Sequence, residues 1–105
     1  MTSRMFYIFV DDLRTIPPLD EEKYVGITCR TYDTAVDTIK ICHDSKVDFV
    51  LDLDHDLGLG KTGYDICKYI VENQIPVKFV KIHSMNPVGC GNMRQLLSHY
   101  GYAVT

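Results

Sequence analysis

The sequence predicts an α/β domain in which a parallel sheet lies between layers of helices. Two observations lead to this class. Short apolar runs alternate with segments of helical periodicity, and several of the apolar runs end abruptly in polar residues. Strands that alternate with helices are joined by right-handed crossovers and therefore lie parallel to one another.

Five stretches have the composition of strands. The first, Met5–Val10, is apolar throughout, which is typical of a strand covered on both faces. The segment 15–23 contains two prolines and several acids, so we expect a loop with at most one turn of helix. The predicted strands, in chain order, are Met5–Val10, Tyr24–Cys29, 47–53, 77–82 and a stub at 102–104.

Three segments with helical periodicity follow the second, third and fourth predicted strands. The first covers residues 32–45 and begins after a threonine N-cap. The second begins near Thr62, which forms a capping-box pattern with Asp65 three residues later. The third begins at Asn86 and Pro87, an N-cap residue followed by the residue type that favours the first helical position.

The composition indicates the broad class of the protein. At 105 residues, with a net charge of −3 and no basic run, we expect one domain (1–105) that does not bind long duplex nucleic acid. No apolar run is long enough to span a membrane and residues 1–4 lack a signal-peptide pattern, so we expect a cytoplasmic protein. The four cysteines are too widely spaced for a zinc site, and we interpret Cys42 and Cys67 as buried thiols. The sequence predicts no particular oligomeric state.

Polar residues cluster where three of the predicted strands end. In a parallel α/β sheet the ligand crevice lies beyond the carboxyl ends of the strands, so these loops converge on one edge. The residues are Asp11, Asp12 and Arg14 after the first strand, Asp54, His55 and Asp56 after the third, and His83, Ser84 and Asn86 after the fourth. Any one of these loops is compatible with an ordinary polar turn, but the convergence of three predicts a functional acidic site.

Four carboxylates are candidate ligands of a divalent cation: Asp11, Asp12, Asp54 and Asp56. Oxygen ligands favour Mg²⁺, which keeps several waters and accepts a phosphate oxygen. If His55 and His83 also ligate the ion, the mixed nitrogen and oxygen set favours Mn²⁺ or another transition metal. The alternative for the first two acids is a turn cap. We expect Asp52 to support the ligands rather than to bind the ion itself, because strand alternation directs its side chain away from the site or at a backbone group.

Two histidines are candidates for proton transfer, since an imidazole titrates near neutral pH. We expect His55 and His83 to divide the roles of general acid and base; the alternative for each is donation to a loop carbonyl. Arg14 is either a bidentate phosphate clamp or an ion-pair partner of the neighbouring aspartates. Tyr64 either stacks on a base or faces the core. Further phosphate ligands are expected near the start of the last helix, namely Ser84, Asn86 and Asn92.

The polar residues at the strand ends resemble the motifs of two related families. Asp11-Asp12, Asp54 and Ser84 resemble the acidic pair, the phosphate-accepting aspartate and the phosphate-contacting hydroxyl of response-regulator receiver domains. The chain departs from that pattern because its final strand carries no lysine, the last helix is missing and two histidines stand at the site. The closer resemblance is to the cyclic-phosphate-processing receiver-like domain, through Asp11-Asp12-x-Arg14, Asp54-His55-Asp56-Leu57-Gly58, Thr62-Gly63-Tyr64-Asp65 and His83-Ser84-x-Asn86-Pro87-x-Gly89-x-x-Asn92-Met93.

This resemblance implies a flavodoxin-like fold with three layers, α/β/α, strand order 2-1-3-4-5 and a last strand that is short or absent. It also implies metal-dependent hydrolysis of a cyclic phosphate or phosphodiester in a bacterial or phage protein, with His55, His83 and Asp54 as catalytic residues. The expected partner is a small phosphate-bearing ligand, such as a nucleotide, or an RNA terminus. Two other functions stay open: a non-catalytic module that sequesters a cyclic nucleotide, and a signalling receiver phosphorylated on Asp54.

Overall fold

The computed structural model describes residues 4–105 and contains four strands and three helices within that range. In chain order they are β1 (Met5–Val10), β2 (Tyr24–Cys29), α1 (Tyr32–Asp44), β3 (Phe49–Leu53), α2 (Gly63–Glu72), β4 (Val80–Ile82) and α3 (Pro87–His99). None of these helices is long and apolar enough to cross a membrane. Residues 1–3 lie outside the described range, so the predicted entry of residues 1–4 into the first strand is tested only from Arg4 onwards.

The four strands form one parallel sheet with the order β2-β1-β3-β4. A fifth position beside β4 is reduced to a single parallel bridge between Val80 and Val104, as expected for a last strand that is short. β3 and β4 both begin later in the chain than predicted. For β3 the reason is local, because the amide of Val47 donates to the carbonyl of Cys42 at the end of α1. The predicted order of the sheet is confirmed.

Polar side chains cap all three helices as the sequence predicts. At the start of α1, the hydroxyl oxygen of Thr31 accepts a hydrogen bond from the amide of Thr34 at 3.1 Å. The amide of Thr62 donates to a carboxylate oxygen of Asp65 at 2.8 Å, which is half of the capping box at the start of α2. Asn86 accepts a hydrogen bond from the amide of Gly89 at 2.9 Å and thereby caps α3, with Pro87 in its first turn. These caps set the directions in which the loops after β3 and β4 enter their helices.

All three helices pack on one face of the sheet. Their buried side chains join those of the strands in a single apolar cluster, in which Ile8 and Leu51 come from the sheet. Ile39, Ile66 and Leu97 represent the three helices in that cluster. Full burial of side chains of this size is worth about 1.5–3 kcal/mol each, so this face supplies most of the apolar stabilisation.

The opposite face of the sheet is covered by a loop rather than by a helix. Tyr7, Phe9 and Val50 form a second, smaller cluster there, against which Ile16 and Leu19 of the loop after β1 pack. Two consecutive prolines in this loop prevent a continuous helix. The flavodoxin-like class is confirmed, but within residues 4–105 this loop takes the place of the expected third layer.

Strand alternation sorts the polar residues onto the face that carries no helix. Phe9 and Asp11 are two residues apart along β1, and Phe9 pairs in register with Asp52 of β3. Asp54 follows Asp52 at the same spacing, and His83 continues the alternation of β4. Because side chains two residues apart share a face of a strand, these groups meet at the carboxyl edge of the loop-covered face.

We predict that a thiol reagent modifies only Cys90 in the folded protein. Cys29, Cys42 and Cys67 are buried, whereas Cys90 is partly accessible. Burial raises the pKa of Cys67 to about 12, which removes the reactive thiolate at neutral pH. Counting reacted thiols at pH 8 before and after adding denaturant checks this, with Cys90→Ser as the control that should show no reaction while folded. Rapid modification of Cys67 in the native protein would contradict the burial.

Candidate functional site

Three carboxylates meet at the carboxyl edge of the sheet. Asp11 and Asp12 follow β1, Asp54 follows β3, and one oxygen of each lies within 4.8 Å of the others. Asp11 and Asp54 are buried, with exposures of 1% and 6%, whereas Asp12 is accessible to solvent. Like charges at this separation repel one another more strongly when buried, so the cluster needs a positive charge or shared protons. We call Asp11, Asp12 and Asp54 the carboxylate cluster.

Arg14 supplies part of the positive charge that the carboxylate cluster needs. One guanidinium nitrogen lies 3.2 Å from Oδ2 of Asp11 and 3.7 Å from Oδ2 of Asp54. Arg30 donates to the backbone carbonyls of Asp11 and Arg14, which holds the loop in place. Of the two roles left open by the sequence, the geometry places Arg14 in the ion pair. Its side chain is 48% exposed, so the guanidinium can leave this position at little cost.

Asp11 is the most constrained member of the cluster. Its Oδ1 accepts hydrogen bonds from the amides of Leu13 and Arg14 at 2.8 and 2.7 Å. Its Oδ2 faces the Arg14 guanidinium at 3.2 Å and Nε2 of His83 at 2.9 Å. Burial opposes ionisation of this carboxyl group, but the hydrogen bonds from Arg14, Leu13 and His83 outweigh it and hold the pKa of Asp11 below its ordinary value.

His83 bridges two carboxylates that lie on different strands. Its Nε2 faces Asp11, and its Nδ1 makes a short hydrogen bond with Asp52. The second carboxylate oxygen of Asp52 accepts a hydrogen bond from the hydroxyl of Tyr7 at 2.5 Å. The ring of Phe9 stacks on the imidazole, with centroids 4.8 Å apart and planes 7° from parallel. Both ring nitrogens of His83 are therefore already paired with acids.

The pKa values along this bridge follow from burial and from charge. Burial alone would lower the pKa of His83, but the hydrogen bonds and charges of Asp52 and Asp11 prevail and raise it. Burial and the hydrogen bond to Asp52 both raise the pKa of the Tyr7 hydroxyl. No sequence motif singles out Tyr7. The signal that finds it is period-two alternation, because Tyr7 and Asp11 share a face of β1.

His55 lies on the loop after β3 and contacts the first turn of α3. Its Nδ1 is 3.2 Å from a carboxylate oxygen of Asp56 and 3.3 Å from the side-chain nitrogen of Asn86. Its ring packs so closely on Gly89 that a Cβ at that position would lie 2.4 Å from Cδ2 of the imidazole. Only glycine fits there, so the imidazole joins the loops after β3 and β4.

The remaining predicted residues are distributed around the cluster or away from it. Asp56 has a side chain that is 68% exposed and pairs with His55 instead of joining the carboxylate cluster. The hydroxyl of Ser84 accepts from the amide of Asn86, whose own side chain caps α3. Asn92 is exposed on α3 and lines a separate surface concavity with Tyr64 and His99. Tyr64 also packs against the helix-side core, which is one of the two roles that the sequence left open.

The donor atoms of the carboxylate cluster fit a hard divalent cation. All three are carboxylate oxygens, the set that Mg²⁺ prefers, and one of the residues is open to solvent, where water or a ligand oxygen completes the coordination. Neither His55 nor His83 belongs to the cluster, and each directs a ring nitrogen to an acid. The arrangement therefore suits Mg²⁺ better than a metal that favours nitrogen ligands.

A parallel sheet with carboxylates gathered at its carboxyl edge defines a receiver-like domain. The chain belongs to the family described as the cyclic-phosphate processing receiver domain, which it matches over residues 6–99. The resemblance expected from the sequence motifs is therefore confirmed. Membership in this family associates the domain with cyclic-phosphate processing.

A solved structure with a similar fold is the signal receiver domain of a putative Luxo repressor protein from Vibrio parahaemolyticus. The match has a TM-score of 0.63, covers 97% of this chain and 76% of the other, and has 21% sequence identity. At this identity the similarity shows the shared fold and transfers no role to individual residues. No curated protein matches the chain.

We predict opposite effects of alanine at two glycines of α3. Gly89→Ala places a methyl group against the ring of His55 and should destabilise the protein by about 1–3 kcal/mol, as overpacking does. Gly91 is exposed with nothing near its Cβ position, so Gly91→Ala should stabilise the helix by roughly 0.5–1 kcal/mol. Denaturant unfolding of the two variants measures both values. Equal stabilisation by both substitutions would show that the imidazole does not pack as described.

We also predict that the His83 bridge makes stability depend on pH in the metal-free protein. A raised His83 pKa adds stability that is fully present below pH 6.5 and is lost as the pH rises through the folded-state pKa. A lowered Asp11 pKa adds stability that is present above pH 3.8 and is lost as the pH falls through its folded-state pKa. The contribution of the bridge to the free energy of unfolding is therefore largest between pH 3.8 and 6.5.

NMR titration of the His83 ring, together with unfolding measured at several pH values, checks this prediction. Asp52→Asn removes one of the two charges that raise the pKa of His83 and should lower it. A His83 pKa below 6.5 in the wild-type protein would be inconsistent with the bridge.

Proposed function

We propose that this protein is a metal-dependent hydrolase that opens a cyclic phosphate or phosphodiester on a nucleotide or an RNA end. The observation that supports this most is the carboxylate cluster, whose oxygens lie within 4.8 Å of one another beside an arginine. Membership in a family described as processing cyclic phosphates supplies the substrate class. The proposal requires a cation and a phosphate at the same edge of the sheet.

Asp11, Asp12 and Asp54 would hold the cation in this proposal. When bound, a divalent cation polarises a phosphoryl oxygen and stabilises the negative charge that develops on it. Asp12 is accessible, so it is the member of the cluster that meets an incoming ligand first. Asp56 is left out of the proposed ligand set because its carboxylate lies outside the cluster.

Arg14 would change partners when the cation binds. In the structure its guanidinium lies near both Asp11 and Asp54, on the side that faces solvent. With a divalent cation held among these carboxylates, the Arg14 guanidinium would no longer be needed to compensate their charge and would be free to leave them. Arginine binds phosphate through two parallel hydrogen bonds, so the released side chain is well suited to orient the substrate. The ion pair and the phosphate clamp are then two states of one residue.

His55 is the better placed of the two histidines for proton transfer. Opening a cyclic phosphodiester requires removal of a proton from water and protonation of the leaving oxygen. His55 is partly accessible, and Asn86 and Asp56 contact only its Nδ1, which leaves Nε2 for the substrate within the described residues. His83 exchanges a proton with substrate only if it gives up a carboxylate contact. We therefore assign His83 chiefly to holding Asp11.

The start of α3 would contribute to binding of the phosphate. The first-turn amides of a helix are unpaired donors and carry part of the positive end of the helix dipole. Pro87 has no amide hydrogen, Asn86 satisfies the amide of Gly89, and the amide of the next residue donates to the backbone carbonyl of Asn86. The groups available to an anion are therefore the hydroxyl of Ser84 and the amide of Val88. Asn92 is exposed on the second turn and lines another concavity, so we give it no role in the reaction.

We predict turnover of one or more cyclic phosphates in the presence of Mg²⁺ or Mn²⁺. The assay compares nucleoside 2′,3′-cyclic phosphates, RNA with a terminal cyclic phosphate, and cyclic mono- and dinucleotides. Asp54→Asn should abolish the metal-dependent rate because a cluster carboxylate is lost. His55→Ala should lower kcat by about 10²–10⁴-fold, the range for a lost acid or base.

Two exposed residues provide matched controls for these substitutions. Asp44→Asn removes an acid that pairs only with Lys40, and His43→Ala removes an exposed histidine on α1. Both should leave the rate unchanged. Turnover that survives Asp54→Asn would refute the site. Tight binding without turnover would favour the sequestering module, and a stable acyl phosphate on Asp54 after treatment with a small phosphodonor would favour the signalling receiver.

A further inference from the structure

A chain of buried polar groups runs from the sheet to the carboxylate cluster. The hydroxyl of Tyr7 donates to Asp52, Asp52 holds Nδ1 of His83, and Nε2 of His83 faces Oδ2 of Asp11. Asp52 is only 1% exposed and lies within β3. A buried carboxylate without partners is strongly unfavourable, and Tyr7 and His83 are its side-chain partners within residues 4–105.

Asp52 does not belong to the carboxylate cluster. It precedes Asp54 by two residues on the same face of β3, one strand repeat further from the edge. No oxygen of Asp52 is among the donor atoms that meet within 4.8 Å. The hydrogen-bonded path from Asp52 to a ligand of that cluster therefore runs through His83.

The rigid imidazole ring of His83 links the position of Asp52 to that of Asp11. The two ring nitrogens point in directions fixed by the ring, so holding Nδ1 also fixes the direction of Nε2. Phe9 stacks on the ring at 4.8 Å and fixes its plane. With two hydrogen bonds and one stacking contact, His83 has little freedom to rotate. Nε2 therefore stays directed at Asp11.

We propose that Asp52, itself held by Tyr7, is a positioning residue that acts through His83 to fix the carboxylate of Asp11 for cation binding. This inference rests on the proposed function, because it requires a cation at the carboxylate cluster. Its physical basis is the loss of Arg14 from Asp11 when the cation arrives. After that exchange, His83 is the side chain that still holds Oδ2 of Asp11 in place.

The substitution Asp52→Asn tests this role with little change of shape. Partners that orient the ligands of a metal typically change its affinity by about 10–100-fold when removed, so Asp52→Asn should weaken Mn²⁺ binding by that factor. Tyr7→Phe removes only a hydroxyl one step further away and should weaken binding by a smaller factor. Mn²⁺ affinity is measured by electron paramagnetic resonance of the free ion and by calorimetry, with no substrate present.

Two variants control for effects on folding alone. Tyr24→Phe removes the hydroxyl of a ring that packs edge-on against Tyr7, and Asp48→Asn removes an exposed acid just before β3. Both should bind Mn²⁺ as the wild-type protein does. Saturating Mn²⁺ should restore the turnover of Asp52→Asn, because only occupancy of the site is impaired. A merely structural role would lower the unfolding free energy and leave the Mn²⁺ affinity of the folded fraction unchanged.

The outcomes separate this inference from the proposed function. If the wild-type protein binds Mn²⁺ and Asp52→Asn binds it equally well, the positioning role is wrong and the proposed function stands. If the wild-type protein binds no Mn²⁺, both are wrong. If Asp52→Asn does not fold, Tyr7→Phe decides: weakened Mn²⁺ binding supports the positioning role, and wild-type affinity overturns it.

Discussion

The close approach of acidic side chains at one edge of the sheet is the constraint on which the rest of the site depends. One oxygen of each of three carboxylates lies within 4.8 Å of the other two, and two of these side chains are buried. Two basic side chains of different kinds face these acids. Arg14 is half-exposed and exchangeable, whereas His83 is fixed between Asp11 and Asp52. The site thus combines one basic partner that can leave with one that stays.

The placement of the helices explains why this arrangement is possible. All three helices pack on one face of the sheet, and the loop with two prolines leaves the other face free of helix within residues 4–105. Alternation along the strands then directs the polar side chains to that second face. Strands are more rigid supports than loops, so groups at their ends hold their positions well. This receiver-like fold thereby presents an edge that carries acids and an imidazole together.

Within the family, the description of cyclic-phosphate processing agrees with the chemistry of this edge. In the proposed function, a cyclic phosphate would bring negative charge to a place that is already acidic, so both a cation and the freed Arg14 would be needed for it to bind. His55, held by Asn86 and Gly89 at the start of α3, lies on the loop after β3 directly next to Asp54 in the chain. The proposed chemistry therefore draws on three loops, and each is anchored by a separate contact.

The sequence by itself determined the elements, three helix caps and the convergence of Asp11, Asp12 and Asp54, because hydrophobic periodicity, capping and strand ends depend on residues close in the chain. Tertiary structure alone decided the bridge through His83, whose partners lie 31 and 72 residues away. It also decided that Asp56 stands outside the cluster. Local sequence patterns predict on which face of its own strand a side chain lies. They do not show which distant side chain meets it, because that depends on how strands separated in the chain pack together.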